Sequence, residues 1–232
     1  MIDLVYKKCD MEFVTVKKNI IYSYNGKKPL EMDIFYPLNL SSIENRKTVI
    51  LLHGSAPMEN IKNIEIFQSW GRLLAASGFT SIVFDWRPNI ESSDVSDLIK
   101  YVIDNEKDLD INANKIAVLG FSAGVEEGMS QAMKVNTGFI ADIVAYYGKI
   151  SSNILKMKCA ENHPKVLIAM GMQDDVFDVS CNDEFIDEGL SHGWNIVKLI
   201  HSFGEHGFDA FNEGEETNKI IWRTIDFLRD EH

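Results

Sequence analysis

The chain has 232 residues, 45% of them hydrophobic and 25% charged, and carries a formal net charge of −12 from 35 acids against 23 basic side chains. That composition is of an ordinary globular protein, without an apolar run long enough to span a membrane, and its acidity argues against nucleic acid, whose phosphates need a basic face. Cys9, Cys159 and Cys181 are odd in number and far apart, so neither structural disulfides nor a thiolate metal site is expected.

The start, MIDLVYKKCDMEF, has early acids and no apolar leader core, which predicts a soluble cytoplasmic protein. Residues 12–25 are rich in β-branched and aromatic side chains, a turn follows at Asn25 and Gly26, and residues 31–37 alternate apolar with polar. This pattern predicts an antiparallel strand pair. Beyond the polar stretch at 39–47, short apolar runs alternate with longer amphipathic segments. Strands are predicted at 48–54, 80–87, 115–121, 141–148, 165–171 and 196–203. Helices are predicted at 64–78, 92–109, 122–135, 183–193 and 215–232, with a short one at 151–158. Continuous Val, Ile and Leu strands between helices imply a mostly parallel sheet covered on both faces, here of eight strands. No composition shift divides the chain, so one domain over residues 1–232 is expected.

In such sheets ligands bind outside the carboxyl ends of the strands. Residues 118–125 read VLGFSAGV, placing Ser122 between the fifth strand and its helix, with Gly120 and Gly124 allowing a tight turn. The turn exposes the hydroxyl and sets the Ala123 N–H at a helix start, where an oxyanion would be stabilised. Of six histidines, His206 alone falls in the loop between the last strand and the closing helix, the place for a general base. His192 falls at a helix end, His201 within a strand and His232 at the chain end. After the strand at 165–171 come Asp174 and Asp175, either of which could orient an imidazole. The order Ser122, Asp174, His206, each behind a different strand, is a stronger signal than any one of them.

These residues, together with His53-Gly54 after the third strand, Gly171-Met172-Gln173-Asp174 and His206-Gly207-Phe208, give the chain a resemblance to the α/β-hydrolases. Within that superfamily it is similar to the dienelactone-hydrolase-like and small serine esterase branches, in matching element order from about Tyr24 to about Leu228. The resemblance implies Ser122 as nucleophile, His206 as base and Asp174 as acid, with Asp175 as the alternative. It implies an oxyanion hole from the N–H of Ala123 and of Ser55 or Ala56, Ser55 being preferred. His53 reads as structural. A serine in place of the aspartate or cysteine of some relatives points to acyl transfer through an acyl-serine. The expected substrate is a small-molecule carboxylic ester or thioester of small to medium acyl group, with no cofactor, metal, nucleic-acid or membrane partner. Two rival readings stay open: a peptidase like the catalytic domains of dipeptidyl peptidases, and a non-catalytic binding protein on the same fold.

Other features have an ordinary and a functional reading. Glu126 and Glu127 are favourably placed near a helix N-terminus, or Glu126, four residues from Ser122, disfavours anionic acyl groups. Trp86 packs under a loop or walls the pocket, with Arg87 pairing to an acid. Sixteen residues lie between Gly148 and Lys165, room for little or no cap. The segment from Ser55 to Ile64, with Met58 and Ile61, is the candidate flap.

Overall fold

Eight strands pair into one sheet in the computed structural model, which describes residues 3–38, 43, 46–55, 60–87, 92–135, 139–156 and 163–230. The strands are β1 (Thr15–Asn25), β2 (Lys28–Tyr36), β3 (Thr48–Leu52), β4 (Thr80–Phe84), β5 (Ile116–Phe121), β6 (Ile140–Tyr146), β7 (Lys165–Gly171) and β8 (Ile196–His201). Their order across the sheet is β1-β2-β4-β3-β5-β6-β7-β8. β2 runs antiparallel to both neighbours, and β3 to β8 are parallel. The helices are α1 (Glu65–Ala76), α2 (Asp94–Asp104), α3 (Glu106–Leu109), α4 (Ala123–Ala132), α5 (Asp183–Ser191), α6 (Phe208–Phe211) and α7 (Glu215–Arg229).

Strand alternation divides the core in two. In β3, Ile50 and Leu52 join one cluster with Val95 and Leu98 of α2 and Val125 and Met129 of α4. Val49 and Leu51 point the other way, to Trp70 and Leu73 of α1 and Ile221 and Ile225 of α7. Both faces of the central strands are therefore covered, which is why these strands are apolar throughout. Each fully buried Ile or Leu contributes roughly 1.5–3 kcal/mol relative to exposure.

The helix expected over 92–109 is two helices. Asn105 interrupts it: its side-chain amide donates to the Tyr101 carbonyl at 2.8 Å, as does its own N–H at 3.0 Å. An asparagine competing for the helix's carbonyls favours an end over a continuation. Three further turns, 3-10 helices at Cys9–Phe13 and Ile61–Asn63 and the short α6, were hidden by their shortness. Part of the segment expected as a short helix at 151–158 is a 3-10 turn at Ser152–Lys156, and the rest lies outside the described residues. Among the described residues no helix is long and apolar enough to cross a membrane.

The candidate flap lies in part outside the described residues, Ala56 and Met58 included. From Asn60 the chain is tied down. Ile61 is buried, and the Lys62 ammonium, 1% exposed, sits 3.1 Å from the fully buried Asp33 of β2 and 2.9 Å from Asn19 Oδ1. Gln68 of α1 donates to the other Asp33 oxygen at 3.1 Å. Removing one member of a buried pair strands the other charge. Lys62→Met should therefore lower the unfolding free energy by about 3–5 kcal/mol, and adding Asp33→Leu should recover most of it. Urea unfolding checks this; a single variant as stable as the native chain would show that the pair holds nothing.

Candidate active site

The register of the sheet brings several strand ends level. Leu52 pairs with Gly120, Phe121 with Tyr146, and Gly171 with His201. Residues that follow these positions leave the sheet along one edge.

At that edge β5 passes straight into α4 through Ser122, whose φ of 51° and ψ of −127° are strained for a residue with a side chain. The strain is held on both sides: the Ser122 N–H donates to the Tyr146 carbonyl at 3.0 Å and its carbonyl accepts from Val125 at 3.0 Å. Glycine is required behind it. A Cβ on Gly124 would fall 2.3 Å from the Leu52 carbonyl oxygen, and one on Gly120 would fall 3.1 Å from the Val125 Cα. The first position tolerates only a bare backbone, and at the second a side chain would require the neighbouring turn to give by a few tenths of an ångström.

His206 Nε2 lies 2.9 Å from Ser122 Oγ. Its Nδ1 lies 3.0 Å and 3.2 Å from the two oxygens of Asp174, whose side chain is wholly buried. Asp174 Oδ1 also accepts the N–H groups of Val176 and Phe177 at 2.8 and 2.9 Å, so its carboxylate is aimed by the loop's own backbone. Asp175 is exposed. The loops carrying Asp174 and His206 are joined directly: Met172 N–H donates to His201 O and Gln173 N–H to Gly204 O, each at 2.9 Å. The imidazole lies between two rings that the sequence pattern left unremarked, Tyr147 edge-on at 4.9 Å and Phe177 stacked at 6.0 Å.

The Gly54-Ser55 turn abuts the same hydroxyl, since a Cβ on Gly54 would lie 3.0 Å from the Ser122 Cβ and 3.6 Å from its Oγ. Ser55 is exposed, Ala56 is outside the described residues, and Ala123 opens α4, where first-turn N–H groups have no intrahelical partner. Glu126 is exposed on α4, and partial burial, followed by the neighbouring Glu126, pushes the Glu127 carboxyl up. Trp86 is buried against His53 and Phe84, and Arg87 makes a two-pronged ion pair with Asp94 at 2.7 and 2.8 Å. Of the other histidines, His192 caps α5, His201 is bonded to Thr217, His163 stacks on Trp194, and His232 lies outside the described residues.

His53 stays neutral beneath the site. Its Nδ1–H donates to the Gly54 carbonyl at 2.9 Å, and its Nε2 is buried without a partner among the described residues. Burial lowers its pKa from 6.5 to about 4. The unfolded chain therefore takes up a proton that the folded chain refuses, so stability present above pH 6.5 is lost as the pH falls toward 4. One pKa unit corresponds to about 1.4 kcal/mol, giving a loss of roughly 3 kcal/mol from this group. In His53→Gln, the drop in unfolding free energy between those two pH values should shrink by about that amount. An unchanged drop would mean that the imidazole is not held neutral.

The family model described as BD-FAE matches residues 32–218. Esterase 2 of Thermogutta terrifontis in its native form superposes with a TM-score of 0.69 at 16% identity, covering 94% of this chain and 92% of that one. The same esterase with butyrate bound gives 0.66 at 15% identity, with 94% and 92% covered. Phosphorylated by paraoxon it gives 0.67 at 16%, with the same coverage. These likenesses establish the α/β-hydrolase fold expected from the sequence. No curated protein sequence gives a significant match.

Proposed function

The chain belongs to the BD-FAE family, an α/β-hydrolase-type esterase family, and on that footing we propose a single-domain serine hydrolase that cleaves carboxylic esters of small to medium acyl group through Ser122. The observation that carries this reading is the continuous line from Ser122 Oγ through His206 to the buried Asp174, with contacts of 2.9 and 3.0 Å. Ser122 attacks the ester carbonyl while His206 Nε2 takes its proton. Asp174 holds the Nδ1–H tautomer and stabilises the imidazolium that forms. The oxyanion of the tetrahedral intermediate accepts the N–H of Ala123 at the start of α4 and the N–H of Ser55. Collapse expels the alkoxide, which receives the proton from His206 and leaves an acyl-serine. Water then attacks that ester with His206 again acting as base, and the carboxylic acid departs.

Support for a small acyl group comes from the solved relative, whose structures include butyrate-bound and propionate-bound forms. The short stretch between β6 and β7 also leaves little chain for a cap. Free Cys9 and Cys181 suit a reducing cytoplasm.

On p-nitrophenyl esters from acetate to dodecanoate, kcat/KM should be highest at the short end and fall with length. Ser122→Ala should remove essentially all turnover, and Asp174→Asn should lower kcat by about 10⁴-fold, since an amide favours the wrong imidazole tautomer. Native rates in Ser122→Ala would overturn the nucleophile; rates that rise toward dodecanoate would overturn the small acyl group.

A further inference from the structure

A second carboxylate lies behind His206 that the acyl-transfer steps do not use. Asp209, in α6 and three residues after His206, is fully buried. Its oxygens are taken by two neutral donors, Trp70 Nε1 at 2.7 Å and the Tyr147 hydroxyl at 2.8 Å. Burial pushes this carboxyl up, the two hydrogen bonds pull it back, and the charge that His206 gains on protonation pulls the same way. On balance burial wins and the carboxyl is held above its ordinary range, yet both of its oxygens accept hydrogen bonds, an arrangement that suits a carboxylate, and perturbed groups of this kind cluster at functional sites.

Tyr147 connects this carboxylate to the site. It follows β6 with a φ of 37°, an outlier for an aromatic residue, and its N–H is fixed to the Ala169 carbonyl at 2.8 Å. This backbone bend accompanies a side chain whose ring meets the His206 imidazole edge-on at 4.9 Å and whose hydroxyl ends on Asp209. Burial keeps the phenol well above its ordinary range, so it remains a donor. The indole, carboxylate and phenol thus brace one side of the imidazole, while Phe177 stacks on it from another direction.

We infer that Asp209 and Tyr147 are positioning residues for His206: the phenol fixes the ring in line with Ser122, and the Asp209 charge favours the imidazolium formed during acyl transfer. Asp174 and Asp209 then divide the work, one bonded to the ring and one acting across Tyr147. The titratable groups brought against the ring are Ser122 from the elbow, Asp174 from the loop after β7 and Tyr147 from the end of β6, with Asp209 behind it; Glu205, the preceding residue, is exposed. Removing a nearby negative charge makes protonation of the imidazole harder.

The inference rests on His206 being the base, so His206→Ala is measured alongside. The experiment is kcat and KM for p-nitrophenyl butyrate from pH 5 to 9 in the native chain, Asp209→Asn and Tyr147→Phe. Asparagine can turn its amide to donate to Tyr147 and still accept from Trp70, so it removes the charge while keeping the shape. Asp209→Asn should move the acid limb of the kcat/KM profile to lower pH by roughly half a unit or more. Tyr147→Phe should lower kcat about tenfold with KM within about twofold, the mark of a misaligned base rather than a lost binding contact. An inactive His206→Ala beside an Asp209→Asn with an unmoved acid limb, or a Tyr147→Phe with native kcat, overturns this inference alone. An active His206→Ala overturns the base and this inference with it.

Discussion

The edge of the sheet where Ser122, His206 and Asp174 meet depends on one close approach, that of the first turn of α4 to the end of β3. Gly124 passes so near the Leu52 carbonyl that a single extra carbon would lie 2.3 Å from the oxygen. That proximity forces the sharp bend at Ser122, holds its φ positive, and brings the Gly54-Ser55 turn beside the hydroxyl. The strain is sustained because the sheet over-determines it. Ser122 is bonded to β6 through Tyr146, and β5 is paired along its length on both sides. A flexible loop would let the hydroxyl relax away from His206.

The same economy governs the charges. The chain is strongly acidic as a whole, yet the carboxylates near His206 are individually accounted for. Asp174 is aimed by two backbone N–H groups and the imidazole, Asp209 by an indole and a phenol. His53, directly beneath, contributes no charge, because its burial disfavours the proton. In the proposed acyl transfer, the imidazole that gains a proton is thus faced by the Asp174 carboxylate, with the Asp209 carboxyl behind Tyr147 and no competing cation among these neighbours.

Much of this arrangement was legible from the amino-acid order. Continuous apolar runs marked the parallel strands, because the central ones are covered on both faces and have no polar side to alternate with, while β1 and β2 were marked by β-branched and aromatic content and by alternation. Chain order, strand ends and the Gly-Phe-Ser-Ala-Gly turn, joined by the family resemblance, drew attention to Ser122, Asp174 and His206, which the structure brings within hydrogen-bond reach. Choosing between Asp174 and Asp175 needed the loop's backbone, since one residue decides which carboxylate turns inward. Tyr147 and Asp209 could not be singled out. In sequence the first looks like a strand's last aromatic and the second like an acid at a helix start, and they meet across 62 positions. The Lys62–Asp33 pair was hidden for the same reason: a lysine after an apolar residue reads as solvent-facing until its partner, 29 positions away, is placed against it.

The central claim is that the Ser122 hydroxyl is an activated nucleophile, not a turn residue that happens to touch a histidine. Incubation with a fluorophosphonate, followed by mass spectrometry of the intact chain and of its peptides, tests it most directly. The account predicts one adduct per chain, on Ser122, and none when His206 is replaced by alanine. An unlabelled native chain would contradict it and favour a binding protein on this fold, and an adduct on another residue would contradict it by placing the nucleophile elsewhere.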